Sequence, residues 1–358
     1  MSSRCQHIEG GCERKGNKVT RRADASPERW LRKMGRGLYC IPGDFYVDPN
    51  GPVARAVITH GHADHARAGH DAVLTTAATA AIMRARFGAE AAGRYDCVGY
   101  GETRRFGDVA VRLLPAGHVL GSAQVVIEHA GCRVVVSGDY KRRRDPTCAG
   151  FEPVDCDLFI TEATFALPVF RHPDDRGEIA KLLHSLAVFP DRCHLVGVYA
   201  LGKAQRVIAL LREAGYDRPI YLHGALIELC DLYESLGVPL GDLRPVSREA
   251  KKAMAGEIVL CPPGALNDRW SRGFPEPVTA MASGWMRVRQ RARQGGIELP
   301  LILSDHADWD ELTATIHDMQ APRLWVTHGR EEALVHYARS QGVEAEALSL
   351  VGFEEEGS

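Results

Sequence analysis

Six short apolar runs in this chain each finish on an ionisable side chain, and that recurrence constrains the fold more than any other feature. Residues 54–59 lead into His60, 109–114 into PAGH and His118, and 133–136 into SGD and Asp139. Residues 158–161 end at Glu162, 301–303 lead into SDH and His306, and 324–327 end at His328. Runs this short, bounded by glycine and proline, form strands rather than helices. If these strands share one sheet edge, their polar ends converge on a common rim, where open α/β sheets place their sites. Ionisable groups at the ends of buried strands are costly to hold unless something uses them.

The densest of these ends is HGHADH, residues 60–65. On a tight loop His60 and His62 can face one way, and Asp64 and His65 the other. Imidazole and carboxylate donors without a thiolate suit two neighbouring divalent ions, with zinc expected and manganese as the rival. His118 then completes the first ion, His328 completes the second, and Asp139 bridges both through its carboxylate oxygens. Each downstream residue alone reads as an ordinary hydrogen-bonded strand end. A histidine-rich surface loop is the plain alternative for HGHADH, and it does not account for the ordered set.

At 358 residues the chain is long for a single small core, so one large domain or two is expected. The net charge of -2 excludes a uniformly basic nucleic-acid coat but leaves room for a local basic groove. The ten cysteines are scattered singly, and residues 1–17 lack the apolar stretch of a secretory signal. The expectation is free thiols in a reducing cytoplasm, and no run is long enough to cross a membrane. Residues 1–28 read as a polar leader, in which Cys5, His7 and Cys12 fall one ligand short of a zinc knuckle. Farther on, 192–200, 204–214, 219–222 and 226–236 alternate strand-like and helix-like patterns, a βαβα unit. Metal-type residues flank this unit. It therefore reads as an insertion, 176–289, that splits a first domain into 29–175 and 290–352.

HGHADH, AGHVLGSA, SGD and a late THG together resemble the metallo-β-lactamase fold. Glu162 in TEATF, His306 in SDHAD and His328 in VTHG match three further motifs of its nucleic-acid-processing β-CASP branch, and the resemblance spans about 36–350. It implies an α/β αββα sandwich with an inserted α/β β-CASP domain, two divalent ions and a nucleic-acid substrate. RGLYCIPGDFYVDP, YALGKAQR, YLHGAL, SGWMRVR and LSDHADW are similar to segments of the bacterial ligase-associated DNA exonucleases. That narrower resemblance implies metal-dependent trimming of DNA ends in repair, and association with an ATP-dependent DNA ligase and a helicase. Asp48 in YVDP resembles the aspartate that steadies the ligand loop of this fold, with Asp44 as its rival. His223 in YLHGAL departs from the Asp-Ser-type sequence usual in the branch and reads as a structural histidine or a phosphate contact.

On this reading Asp64, Glu162 and His306 are catalytic. His306 protonates the departing oxygen while Glu162 holds its imidazole; a phosphate contact, or a plain buried hydrogen bond between the two, are the alternatives. Gly202 and Lys203, between a strand and a helix, offer backbone N–H groups and a charge to a phosphate, or form an ordinary turn. Lys141, Arg142, Arg143 and Arg144 follow Asp139 closely and read as a phosphate track. Arg287, Arg289, Arg291 and Arg293 would share one face of a strand but scatter around a helix. A ribonuclease of the same fold is the nearest competing function. A small-molecule hydrolase would not need the insertion or the Glu162–His306 pair, and an inactive scaffold need not keep every ligand.

Overall fold

A computed structural model describes residues 26–348. The expected leader, up to residue 25, lies outside the described residues, as do Cys5, His7, Cys12 and the last residues of the 290–352 segment. The chain opens with β1 (Leu31–Met34), β2 (Gly37–Cys40), β3 (Phe45–Val47), β4 (Arg55–Val57) and β5 (His70–Thr75), then α1 (Ala77–Phe87) and β6 (Ala92–Cys97). These six strands form the first sheet in sequence order. β7 (Thr103–Phe106), β8 (Val109–Pro115), β9 (Ala123–His129), β10 (Cys132–Val136) and β11 (Leu158–Ala163) begin the second.

After α2 (Asp175–Val188) comes an alternating segment: β12 (His194–Gly197), α3 (Lys203–Glu213), β13 (Ile220–Leu222), α4 (Gly224–Ser235), β14 (Leu243–Pro245), β15 (Ile258–Cys261), β16 (Val278–Ala282), α5 (Arg289–Gln294) and β17 (Leu299–Leu301). Its six strands make a third, all-parallel sheet in the order β14-β13-β15-β12-β16-β17. The chain then adds α6 (Trp309–Asp318), β18 (Arg323–Gly329), α7 (Glu331–Ser340) and β19 (Glu344–Ala347), whose strands complete the second sheet as β19-β18-β11-β10-β9-β8-β7.

Side-chain alternation explains the layering. Val125, Ile127, Val134, Val136, Leu158 and Ile160 point between the first two sheets and meet Leu38, Val47, Val57 and Leu74. The intervening Val126, Val135 and Phe159 face outward onto Leu312, Ile316 and Leu334 of α6 and α7. On the far side Ile58 and Val73 pack on Met83 of α1. Strands covered on both faces are continuously apolar, which is why these runs carry no polar alternation. The result is the αββα sandwich, with the third sheet covered on one face by α2, α3 and α4.

Two expectations are corrected. The apolar runs do not share one sheet edge: β4 belongs to the first sheet, β8, β10, β11 and β18 to the second, and the run before His306 to the third. Because β17 pairs with β16, the boundary expected at 289/290 falls inside the third sheet, and the chain leaves that layer only after Leu301. No cysteine among the described residues is joined in a disulfide. No helix among the described residues is long and apolar enough to cross a membrane.

Candidate metal centre

The loop after β4 carries HGHADH, and its shape is set from β3. Buried Asp48 accepts the Thr59 amide at 2.8 Å, the Thr59 hydroxyl at 2.6 Å and His65 Nδ1 at 2.7 Å. Its rival Asp44 is exposed; its carboxylate accepts the Tyr39 hydroxyl at 2.7 Å and its carbonyl accepts Arg55 at 3.0 Å, neither of them part of the ligand loop. The loop closes on itself through the His65 and Ala66 amides, both donated to the His62 carbonyl. His118 follows β8 and Asp139 follows β10. His328 lies within β18, at an irregularity in its pairing with β11 where Thr161 and Ala163 face Val326 and Gly329. One extra residue sits on β18 there, and His328 takes the left-handed backbone, φ 56°, that such a bulge allows.

His60, His62, His118 and Asp139 form one buried group, and His65, Asp139 and His328 form another that shares Asp139. His62 Nδ1 lies 3.1 Å from His60 Nε2 and 2.9 Å from His118 Nε2. Asp139 Oδ2 is 3.4 Å from both His60 Nε2 and His65 Nε2. Asp64 adds a carboxylate 3.6 Å from His65 Nε2, and its buried Oδ1 has no hydrogen-bond partner.

The outward nitrogens decide what the inward ones are. His118 Nδ1 donates to the Asp305 carbonyl at 2.9 Å, and His62 Nε2 faces the Leu201 carbonyl at 3.3 Å. His65 Nδ1 is held by Asp48, and His60 Nδ1 by the Thr59 hydroxyl at 3.0 Å, which itself donates to Asp48. With those protons placed outward, bare lone pairs converge inward. Three such nitrogens cannot satisfy one another by hydrogen bonding, but one cation satisfies all three. Ligands of a tetrahedral zinc ion lie roughly 3.3 Å apart, close to the spacing seen. Burial, with neighbouring His65, drives His60 well below the ordinary histidine value, and burial with His306 does the same to His118. His328 is lowered to about 3, by burial and then by His65. Burial would raise the Asp139 carboxyl, but His65 and His306 outweigh it and hold it well below the usual range. Burial would lower His65, but Asp139 and Asp64 beside it raise it well above the ordinary value, so this ring would give up its Nε2 proton to an ion. Neutral His60, His118 and His328 around an ionised Asp139 fit divalent ions.

Glu162 and His306 face this centre. His306 Nδ1 meets Glu162 Oε2 at 3.0 Å, and Glu162 Oε1 accepts the Tyr140 amide at 2.8 Å. Burial would lower His306, but Glu162 and Asp139 beside it raise it to about 10. The position of His306 follows from α6, whose cap pairs Asp308 with Glu311 in both directions. With Asp64, His65, Asp139 and His328, His306 lines a cleft closed by Phe165, Tyr199, Lys203, Ser283 and Trp285.

The basic residues lie elsewhere than expected. Lys141 is fully buried, 3.9 Å from Glu311. The Arg142 and Arg143 amides donate to Glu311, and their guanidinium groups pair with Asp318 and Asp308. Lys141 to Arg143 thus brace α6 instead of forming an open track, and exposed Arg144 pairs with Glu213 of α3 at 2.8 Å. At the start of α3 the Gly202 amide goes to the Gln205 side chain, the Lys203 amide to Leu201 and the Ala204 amide to Tyr199, so those donors are not free for phosphate. The second arginine run is a 3₁₀ turn (Gly284–Arg287) followed by α5, so its arginines scatter. Arg287 is exposed and donates to the Val169 carbonyl, while Arg291 lies over the Trp285 ring. His223 caps α4 by accepting the Ala225 amide at 3.0 Å, a structural task. Thr59, Asp305 and the Leu201 carbonyl were missed by sequence reasoning; only the nearness of Thr59 and Asp305 to a histidine motif pointed to them.

A sandwich holding two buried groups of this composition defines a metallo-β-lactamase-type metal centre. No protein-family model matches the chain. It is similar to a probable DNA ligase of Opitutus terrae, 32% identical over 333 residues that make up 89% of this chain and 31% of that protein. It is also similar to the cleavage and polyadenylation specificity factor 73 of Drosophila melanogaster, 33% identical over 124 residues, 32% of this chain and 18% of that protein. A third relative is the probable RNase MJ4 of Methanocaldococcus jannaschii, 26% identical over 140 residues, 37% of this chain and 32% of that protein. The chain thus spans about a third or less of the length of these relatives. A protein of unknown function from Enterococcus faecalis shares the fold, with TM-score 0.56 at 13% identity over 85% of this chain and 80% of that one. The chain belongs to the β-CASP branch of the metallo-β-lactamase fold.

Proposed function

We propose that this chain is a metal-dependent phosphodiesterase that trims DNA ends. The observation that carries the reaction type is the Glu162–His306 pair set beside two ligand groups that share Asp139. Two divalent ions, zinc or manganese, held by His60, His62, His118 and Asp139 and by Asp64, His65, Asp139 and His328, would supply an activated water and charge for the phosphoryl oxygens. Glu162 is locked by the Tyr140 amide, takes His306 Nδ1, and so leaves Nε2 as the ring nitrogen that hands a proton to the departing oxygen. Half-buried Trp285, backed by the buried Phe165 ring, gives an incoming base an apolar surface on the cleft wall.

DNA as substrate is supported by the relative named for DNA ligation, since nearly all of this chain matches one part of it. The same match supports a working link to a DNA ligase; a helicase link rests on the sequence resemblance alone. The relative named as an RNase supports the second reading, a ribonuclease. Digestion of 5′- and 3′-labelled DNA and RNA with zinc, manganese or magnesium separates the two. Progressive shortening of DNA is expected, and efficient cutting of RNA with DNA untouched would overturn the preference.

A further inference from the structure

We infer that the inserted layer orients the first ion group through Leu201 and Lys203, so that the two ions depend on it unequally. The inference rests on the metal assignment above. Of the three histidines in the first group, two are oriented from this side. His62 turns Nε2 to the carbonyl of Leu201, just before α3. His118 donates to the carbonyl of Asp305, and Asp305 is in turn gripped by Lys203, whose Nζ donates to Asp305 Oδ1 at 2.7 Å and to the Leu303 carbonyl at 3.0 Å.

Between these two contacts Gly202 has φ +83°, and a Cβ there would stand 2.4 Å from Val119 Cγ1, next to His118. The start of α3 is therefore pressed against the His118 loop. The same helix is anchored by Arg206, fully buried and forked onto Asp145 and Asp175. In the second group, by contrast, His65 is held by Asp48 from the first sheet.

Lys203 is a positioning residue. Its side chain is only 2% exposed, and two of its donors are already engaged. Outer partners of this kind set ring orientation and basicity, and their loss costs roughly 10–100-fold in metal affinity. Linkage makes the effect reciprocal: an ion in the first group tightens the contact of 201–203 with 303–305 by the factor with which that contact tightens the ion.

The test is a zinc titration against a chromophoric chelator with wild type, Lys203→Met and Lys203→Arg. Wild type takes up two ions. In Lys203→Met one of them binds roughly 10–100-fold more weakly and the other is unchanged, while Lys203→Arg, which keeps the cation, recovers part of the loss. Hydrogen exchange on wild type needs no variant and decides the matter if Lys203→Met does not fold: amides in 201–206 and 303–306 slow as zinc is added. Unchanged affinity for both ions in Lys203→Met, equal weakening of both, or exchange indifferent to zinc overturns the inference. Wild type that takes up neither zinc nor manganese overturns the metal assignment and the inference with it. Two ions with no sensitivity to Lys203 remove the inference alone.

Discussion

Replacing Asp48 by asparagine tests whether the ligand loop works through histidine tautomers. The Asp48 carboxylate accepts three hydrogen bonds and has nothing else to do: the Thr59 amide on Oδ1, and the Thr59 hydroxyl with His65 Nδ1 on Oδ2. In Asp48→Asn the amide oxygen keeps the Thr59 N–H, and the new NH₂ faces the hydroxyl and the imidazole. It has no lone pair to offer. His65 therefore shifts its proton to Nε2, the atom 3.4 Å from Asp139 that must carry a lone pair to bind an ion. Moving the proton back sets two buried donors against each other and loses one hydrogen bond, a penalty of roughly 1.5–3 kcal/mol. That corresponds to roughly a 10–100-fold weaker second ion. The assay is competitive zinc titration, with the His65 tautomer read from the ¹⁵N shifts of its ring. Wild-type affinity for both ions together with an unchanged tautomer would refute the reasoning.

Other perturbations separate the roles of neighbouring groups. His306→Ala keeps both ions and lowers turnover roughly 10²–10⁴-fold; loss of metal in that variant would make His306 a ligand. Asp139→Ala, which removes the oxygen shared by both groups, abolishes nuclease activity with the fold kept by far-ultraviolet circular dichroism, and substantial retained turnover contradicts the shared-ligand assignment. Arg206→Met strands two buried carboxylates and costs roughly 3–5 kcal/mol in urea unfolding; a loss near zero denies the anchor. Burial would raise the Asp175 carboxyl, but Arg206 outweighs it and holds it below its ordinary value. A depressed carboxyl stabilises above its unfolded value of about 4 and loses that contribution as pH falls through the folded one. Metal-free wild type therefore loses more stability below about pH 4 than Arg206→Met does, as read by urea midpoints; parallel curves contradict the pairing.

The parts legible in the sequence are those in which residue type alone carries the physics. Val134 to Val136 is apolar throughout because it is buried on both faces, and that run announced a strand. HGHADH, His118, Asp139 and His328 announced a cluster, which the fold brings together, because few arrangements tolerate so many buried ionisable groups. Charge without its partners was not legible: Lys141 to Arg143 look like a phosphate track until Glu311 and Asp308, far along the chain, take them inward. Backbone acceptors were equally hidden, because the Leu201 and Asp305 carbonyls carry no signature of residue type. The expectation of a single rim failed for a related reason. A strand pattern does not say which sheet receives the strand, and the run before His306 joined the third.

The central claim is a two-ion centre built by ligands from separate parts of the chain around Asp139. Elemental analysis of the purified protein by inductively coupled plasma mass spectrometry, after saturation with zinc or manganese and removal of excess, tests it directly. The account predicts two ions per chain in wild type and fewer in Asp139→Ala. No bound ion in wild type, or two ions still held by Asp139→Ala, would contradict it.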